Sequence, residues 1–169
     1  RFKAIRDMVQ KGEFGDIYYM EGDYIHQILW KITEGWRGAM DFYCITYGGG
    51  IHLIDLMRWI LDKSVTEFTG MGVKKATNNS QFKFPDIITN LLKFENDTLA
   101  KTTTMFMPQR HKFHNLSIYG SKLSFENGKP WQSENLYAPF DFAIKKTEAD
   151  LEKEATSSWL EKLTTILSI

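Results

Sequence analysis

The densest chemistry in this sequence lies in the run Tyr47-Gly48-Gly49-Gly50-Ile51-His52-Leu53-Ile54-Asp55-Leu56. Three consecutive glycines remove side chains where the backbone must let a planar or bulky group approach. They stand where a helix begins, so His52 is predicted in its first turn, beside unpaired N–H groups and the positive end of the macrodipole. That setting favours the neutral ring needed by a general base or by a partner for a substrate hydroxyl. Asp55, three residues on, falls on the same side of the helix and could orient the ring or cap nearby N–H groups. A glycine-rich turn leading into a core helix with a satisfied histidine accounts for the same residues, and both readings stay open at this point.

Other groups offer less. His111 and His114 are three apart, which on a strand puts them on opposite faces, and no further spaced Cys, His or carboxylate supports them as metal ligands. No metal site is expected. Cys44, between Tyr43 and Ile45 with no evident base, reads as a small buried apolar residue. Lys74-Lys75 and Arg110 to Lys112 read as solvated strand ends. Trp30, Trp36, Phe42 and Tyr43 form either a sugar-stacking surface or a surface packed against another domain.

The elements that must position these groups follow from periodicity. Phe2, Ile5, Met8 and Val9 recur at helical spacing, and Gly12 follows where a helix C-terminus favours positive φ. Asp16 to Ile25 is a strand, whereas Gln27 to Tyr47 has no sustained period and reads as a long binding loop. From Ile51 to Leu61 the apolar residues run nearly all round, predicting a buried helix. Four strands follow over Val65 to Ala76, Phe84 to Glu95, Thr98 to Met107 and Phe113 to Tyr119, the last continuing at Leu123 to Phe125. Asn96-Asp97 marks a hairpin between the second and third. Strands in succession without helices imply an antiparallel sheet. The strand from Phe84 carries Ile88, Leu92 and Phe94 on one parity and Ile87 and Leu91 on the other, so helices should cover one face and a second copy of the sheet the other. Asn127 to Tyr137 reads as loop, and Trp159, Leu160, Leu163, Ile166 and Leu167 mark a final helix.

Composition bounds the rest. With 169 residues, 43% hydrophobic, the chain is long enough for one domain, 1–169, with a real core. Twenty-one basic residues balance 21 acidic ones, so nothing draws it to nucleic acid or to anionic lipid. One cysteine excludes a disulfide framework and suits a reducing, cytoplasmic setting. No apolar run reaches membrane-spanning length. Arg1-Phe2-Lys3 has no initiator methionine, and Leu163 to Ile169 stop inside an apolar helical pattern, so a fragment is expected.

Trp36-Arg37, followed by the run from Gly48 through His52, Asp55 and Trp59 to Leu61, resembles the C-terminal domain of the glucose-fructose oxidoreductase and inositol dehydrogenase family (Gfo/Idh/MocA). The element order is similar throughout, including the Gly12-Glu13-Phe14-Gly15-Asp16-Ile17 strand opening, Phe94-Glu95-Asn96-Asp97 at a hairpin and Ile118-Tyr119-Gly120-Ser121. The resemblance implies an α+β fold: an open antiparallel β-sheet with helices on one face, of the dihydrodipicolinate-reductase-like kind, with the Rossmann domain absent. It implies His52 as the catalytic histidine, and Arg37, Trp36, Tyr24, His26 and Asp55 as substrate-binding residues. Gly48, Gly49 and Gly50 would lie beneath the nicotinamide of NAD or NADP.

On that footing the chain is expected to be the substrate-binding and oligomerisation domain of an NAD(P)-dependent oxidoreductase acting on a sugar, polyol or related hydroxy compound. Its expected partners are that small molecule, an N-terminal Rossmann domain and a second copy of itself. Two departures matter. Many members carry an acidic residue four positions before the histidine, where this chain has Gly48, so proton relay would rest on His52, on Asp41 or Tyr47, or on the other domain. Nor does the chain carry a Gly-x-Gly-x-x-Gly turn: Gly70-Met71-Gly72 followed by Lys75 does not complete one. The isolated chain is therefore expected to hold no dinucleotide tightly and to be inactive. The alternative reading is a non-catalytic dimerisation or ligand-binding module that keeps the fold.

Overall fold

The computed structural model describes residues 2–126 and the backbone of 129–132. Helix α1, Phe2–Gln10, buries Ile5 and Met8 and ends as its spacing predicts, with Gly12 at φ 72° and its N–H donating to the Val9 carbonyl at 2.9 Å. Strand β1, Ile17–Ile25, follows. The 27–47 stretch is not the structureless loop that its lack of period suggests. It holds a short helix α2, Trp30–Thr33, and a 3₁₀ turn, Trp36–Ala39. Its apolar residues close a core of their own, in which Ile28, Ile32, Tyr43 and Ile45 pack with Phe82 and Phe106. Periodicity misses these turns because each is too short to repeat.

Helix α3, Ile51–Leu61, buries Leu53, Met57, Ile60 and Leu61 and ends on Asp62 at φ 55°. The expectation of a helix buried all round is corrected: Ile51 and Trp59 reach solvent. The Arg6 guanidinium stacks on the outer Trp59 ring, 4.8 Å from its centroid, and Gln10 Nε2 donates to the Ile60 carbonyl at 3.0 Å. These contacts tie α1 to α3.

Six more strands complete the sheet: β2 Val65–Val73, β3 Ile87–Phe94, β4 Leu99–Met105, β5 Phe113–Gly120, β6 Leu123–Glu126 and β7 Lys129–Gln132. Their order is β2-β3-β4-β1-β5-β6-β7, and every neighbouring pair is antiparallel except β1 with β4. The β3–β4 turn is the expected hairpin, closed by Asp97 N to Phe94 O and Phe94 N to Thr98 O at 2.9 Å each, with Asp97 at φ 61°. The loop expected over Asn127 to Tyr137 is corrected at 129–132, where the open edge of β6 takes up a further strand. The final helix expected around Trp159 to Leu167 lies outside the described residues.

Helices α1 and α3 pack on one face of the sheet, over Met20, Leu92, Ala100 and Ile118. The opposite face mixes charge with apolar surface. Lys101 bonds Glu21 and lies 3.7 Å from Asp23, while Leu91, Leu99 and Met71 on the same side stay exposed. Beyond β2, residues 74–86 are fastened by one buried carboxylate. Asp86 accepts the N–H groups of Lys75, Ala76 and Thr77 and the Thr77 hydroxyl at 2.8–3.1 Å.

Candidate functional site

The parallel β1–β4 pair and the antiparallel β1–β5 pair bring Tyr24, Thr104 and His114 to one level of the sheet. Tyr24 and His114 are direct cross-strand partners, and their rings stack with centroids 4.2 Å apart. The His26 ring meets His114 edge-on at 6.2 Å, and His52 comes down from α3 to 6.1 Å from Tyr24. Tyr24 is thus the hub of three histidines that lie far apart in sequence.

The Tyr24, His52 and His114 rings wall a cavity of about 520 Å³, lined also by Asp55, Lys112 and Asn115, with Leu53, Leu56 and Trp59 as its apolar floor. That is the size and the mostly apolar character of a small-molecule site. Burial pushes the His26 and His114 imidazoles below the usual histidine range, and the Lys112 charge pushes each the same way. His26 Nδ1 and Asn115 Oδ1 are buried without a hydrogen-bond partner among the described residues. Buried polar atoms are nearly always paired, so these two are exceptions at this end of the sheet.

The glycine run is built differently from its sequence expectation. Backbone from Ile45 onward is already helical, and a π turn over Thr46–Gly50 feeds directly into α3, with the Ile51 N–H donating to the Thr46 carbonyl. His52 therefore lies well inside a continuous helix and not among the unpaired N–H groups of a helix start. The glycines are required by packing. A Cβ on Gly49 would lie 2.6 Å from the Tyr24 ring, one on Gly50 2.5 Å from Thr104 Oγ1, and one on Gly48 only 1.7 Å from Tyr43 Oη. The chain itself fills those spaces, so the triplet is no open cradle for a dinucleotide. Tyr47 and half-buried Gly48 are the part of the run left accessible.

Gly48 holds the place of the missing acid, and the group occupying that space is the Tyr43 hydroxyl. Burial pushes the Tyr43 phenol above its ordinary pKa, so it keeps its proton and can donate it in a hydrogen bond. Asp41, a stand-in suggested by sequence, is engaged on the surface with Lys83, whose hydrogen bond holds its carboxyl below the usual range. Arg37 and Trp36 do not line the cavity. The guanidinium stacks on the exposed Trp36 ring at 4.4 Å, and its charge is felt at Tyr43. Of the expected site residues, Tyr24, His52 and Asp55 line the cavity, while His26 lies in an adjoining recess.

From sequence, Tyr43 was weighed only as part of an aromatic surface, His114 only as a metal ligand and Lys112 only as a solvated strand end. The strand-like pattern of Phe113 to Tyr119 was the available signal for His114, but only strand register shows its partner. No three His, Cys, Asp or Glu side chains among the described residues converge on a metal site, and no helix among them is long and apolar enough to cross a membrane.

Residues 2–126 match the family model described as the GFO/IDH/MocA C-terminal domain, and the chain belongs to that family. By sequence, no curated protein matches it. Among solved structures it is similar to myo-inositol 2-dehydrogenase from Lactobacillus plantarum, with a TM-score of 0.64 and 21% identity over 76% of this chain and 38% of that one. It is similar to scyllo-inositol dehydrogenase from Lactobacillus casei with bound NAD(H) and scyllo-inositol, at 0.63 and 16% over 74% and 37%. The WlbA dehydrogenase from Bordetella pertussis in complex with NADH and UDP-GlcNAcA matches at 0.63 and 15%, over 73% and 38%. The chain thus spans under two fifths of each. At such identities the likeness is one of fold: an open sheet with a few helices, as the family resemblance implies.

Proposed function

We propose that this chain is the substrate-binding domain of an NAD(P)-dependent oxidoreductase that acts on a sugar, polyol or related hydroxy compound. The observation that carries it is the cavity, in which His52, Asp55, Tyr24 and His114 converge over an apolar floor. A substrate hydroxyl placed against His52 gives up its proton to the imidazole as its carbon is oxidised, and Asp55 accepts a bond from a neighbouring hydroxyl. The Tyr43 hydroxyl, in the space beside Gly48, supplies a donor where relatives carry an acid. The nicotinamide supplies the hydride acceptor. Its grip belongs to a dinucleotide-binding domain, since the chain's own residues fill the glycine run. The open face of the sheet, with Met71, Leu91 and Leu99 exposed, would be covered by a second copy.

In the complete protein, supplied with NAD⁺ or NADP⁺ and a panel of polyols, His52→Ala should lower kcat by about 10²- to 10⁴-fold, the usual worth of general acid–base help. Turnover unchanged by that substitution would overturn the assignment. Gly48 in place of the acid favours a second reading, a binding module without chemistry. It predicts polyol binding with no cofactor reduction.

A further inference from the structure

One side of the cavity carries a cation. Lys112 lines both the cavity and the adjoining recess, which is formed with His26, Gln27, Gln109, Arg110 and His111. Lys112 and Arg110 are exposed, and neither has a carboxylate within 4 Å among the described residues. The Arg110 guanidinium lies over the Phe113 ring, 4.3 Å from its centroid. Asp55, on α3, is the only carboxylate on either lining among the described residues. The two sides therefore differ: one carries His52 and Asp55, suited to hydroxyls, and the other carries Lys112 and Arg110.

We infer that the ligand of this cavity is an anionic sugar, whose carboxylate or phosphate is held by Lys112 and Arg110 while its hydroxyls lie against His52 and Asp55. The inference rests on the sugar-binding reading above and adds the charge of the substrate. A guanidinium and an ammonium on one recess make charge-assisted bonds to planar or tetrahedral oxyanions. His26 and His114 both favour the neutral form, so near neutrality the positive charge at this end is that of Lys112 and Arg110.

The test is calorimetric binding to the complete protein of D-glucuronate, D-glucose 6-phosphate and D-glucose. Glucuronate or the phosphate ester should bind at least tenfold more tightly than glucose, and which of the two does so identifies the anion. Lys112→Gln and Arg110→Gln should each weaken that binding about tenfold and leave glucose binding within twofold. Equal affinity for all three sugars, or no effect of either variant, overturns the inference. Cofactor reduction separates this from the dehydrogenase reading. Selective anion binding without reduction sinks the dehydrogenase and leaves the inference standing. Reduction driven by neutral polyols, indifferent to Lys112→Gln, does the reverse.

Discussion

Asp86 and His26 are both polar groups taken out of water, and the fold treats them in opposite ways. The Asp86 carboxylate collects three backbone N–H groups and a hydroxyl, so each of its oxygens is engaged and the 74–86 segment is closed around it. Around Tyr24 the bonding is left open: His26 Nδ1, Asn115 Oδ1 and Thr104 Oγ1 have no partner among the described residues. A polar group with its bonds filled holds a structure together. One with bonds to spare adds nothing to that holding and costs the fold free energy instead. The difference separates a residue kept for folding from residues kept for binding, although both are polar and both are enclosed.

The comparison can be broken most directly at Asp86. Replacing it with Ala strands three N–H groups and should cost at least about 3 kcal/mol of stability in urea unfolding, since bonds to a charged acceptor are worth about 1.5–3 kcal/mol each. A variant as stable as the parent would erase the distinction. Gly48→Ala comes next, because its Cβ must displace the Tyr43 hydroxyl, and overpacking of that kind costs about 1–3 kcal/mol. In a Tyr43→Phe background part of that loss should vanish, which a double-mutant cycle would read as coupling of about 0.5 kcal/mol or more. On the open side, His114→Gln should change stability by less than about 1 kcal/mol while weakening ligand binding. A large loss of stability there would show that the histidine is structural after all.

The smallest effect is with pH. The folded-state pKa values of His26 and His114 lie below the unfolded value, so the unfolded chain binds more protons in between. Their contribution to stability is complete above the unfolded histidine pKa near 6.5 and is lost as pH falls through the lower folded values. The melting temperature should therefore drop modestly on acidification below about pH 6.5. That drop should shrink in His114→Gln.

Much of this was legible in the chain. Helix α1, the β3–β4 hairpin and the alternation of covered and open faces follow from local spacing, because a turn residue or an apolar period acts within a few positions. The glycine run was legible as a place of close approach, but not what approaches: Tyr43 and Tyr24 reach it only after β1 and the 27–47 segment have folded over each other. The site was half visible for the same reason. His52 and Asp55 share a helix, whereas His114 and Lys112 join them through the pairing of β1 with β5, which no local pattern encodes.

Strand β1 has a bearing on how the molecule is made. It lies between two meanders, β2-β3-β4 on one side and β5-β6-β7 on the other, and its partners are about 80 to 100 residues downstream. Each meander can zip up from neighbouring hairpins, yet neither can join the other until β1 is threaded between them. On the ribosome, β1 emerges before both of its partners and must stay unpaired until β4 has been synthesised. Assembly of the whole sheet is thus governed by one late, long-range closure, the kind of step that makes folding slow.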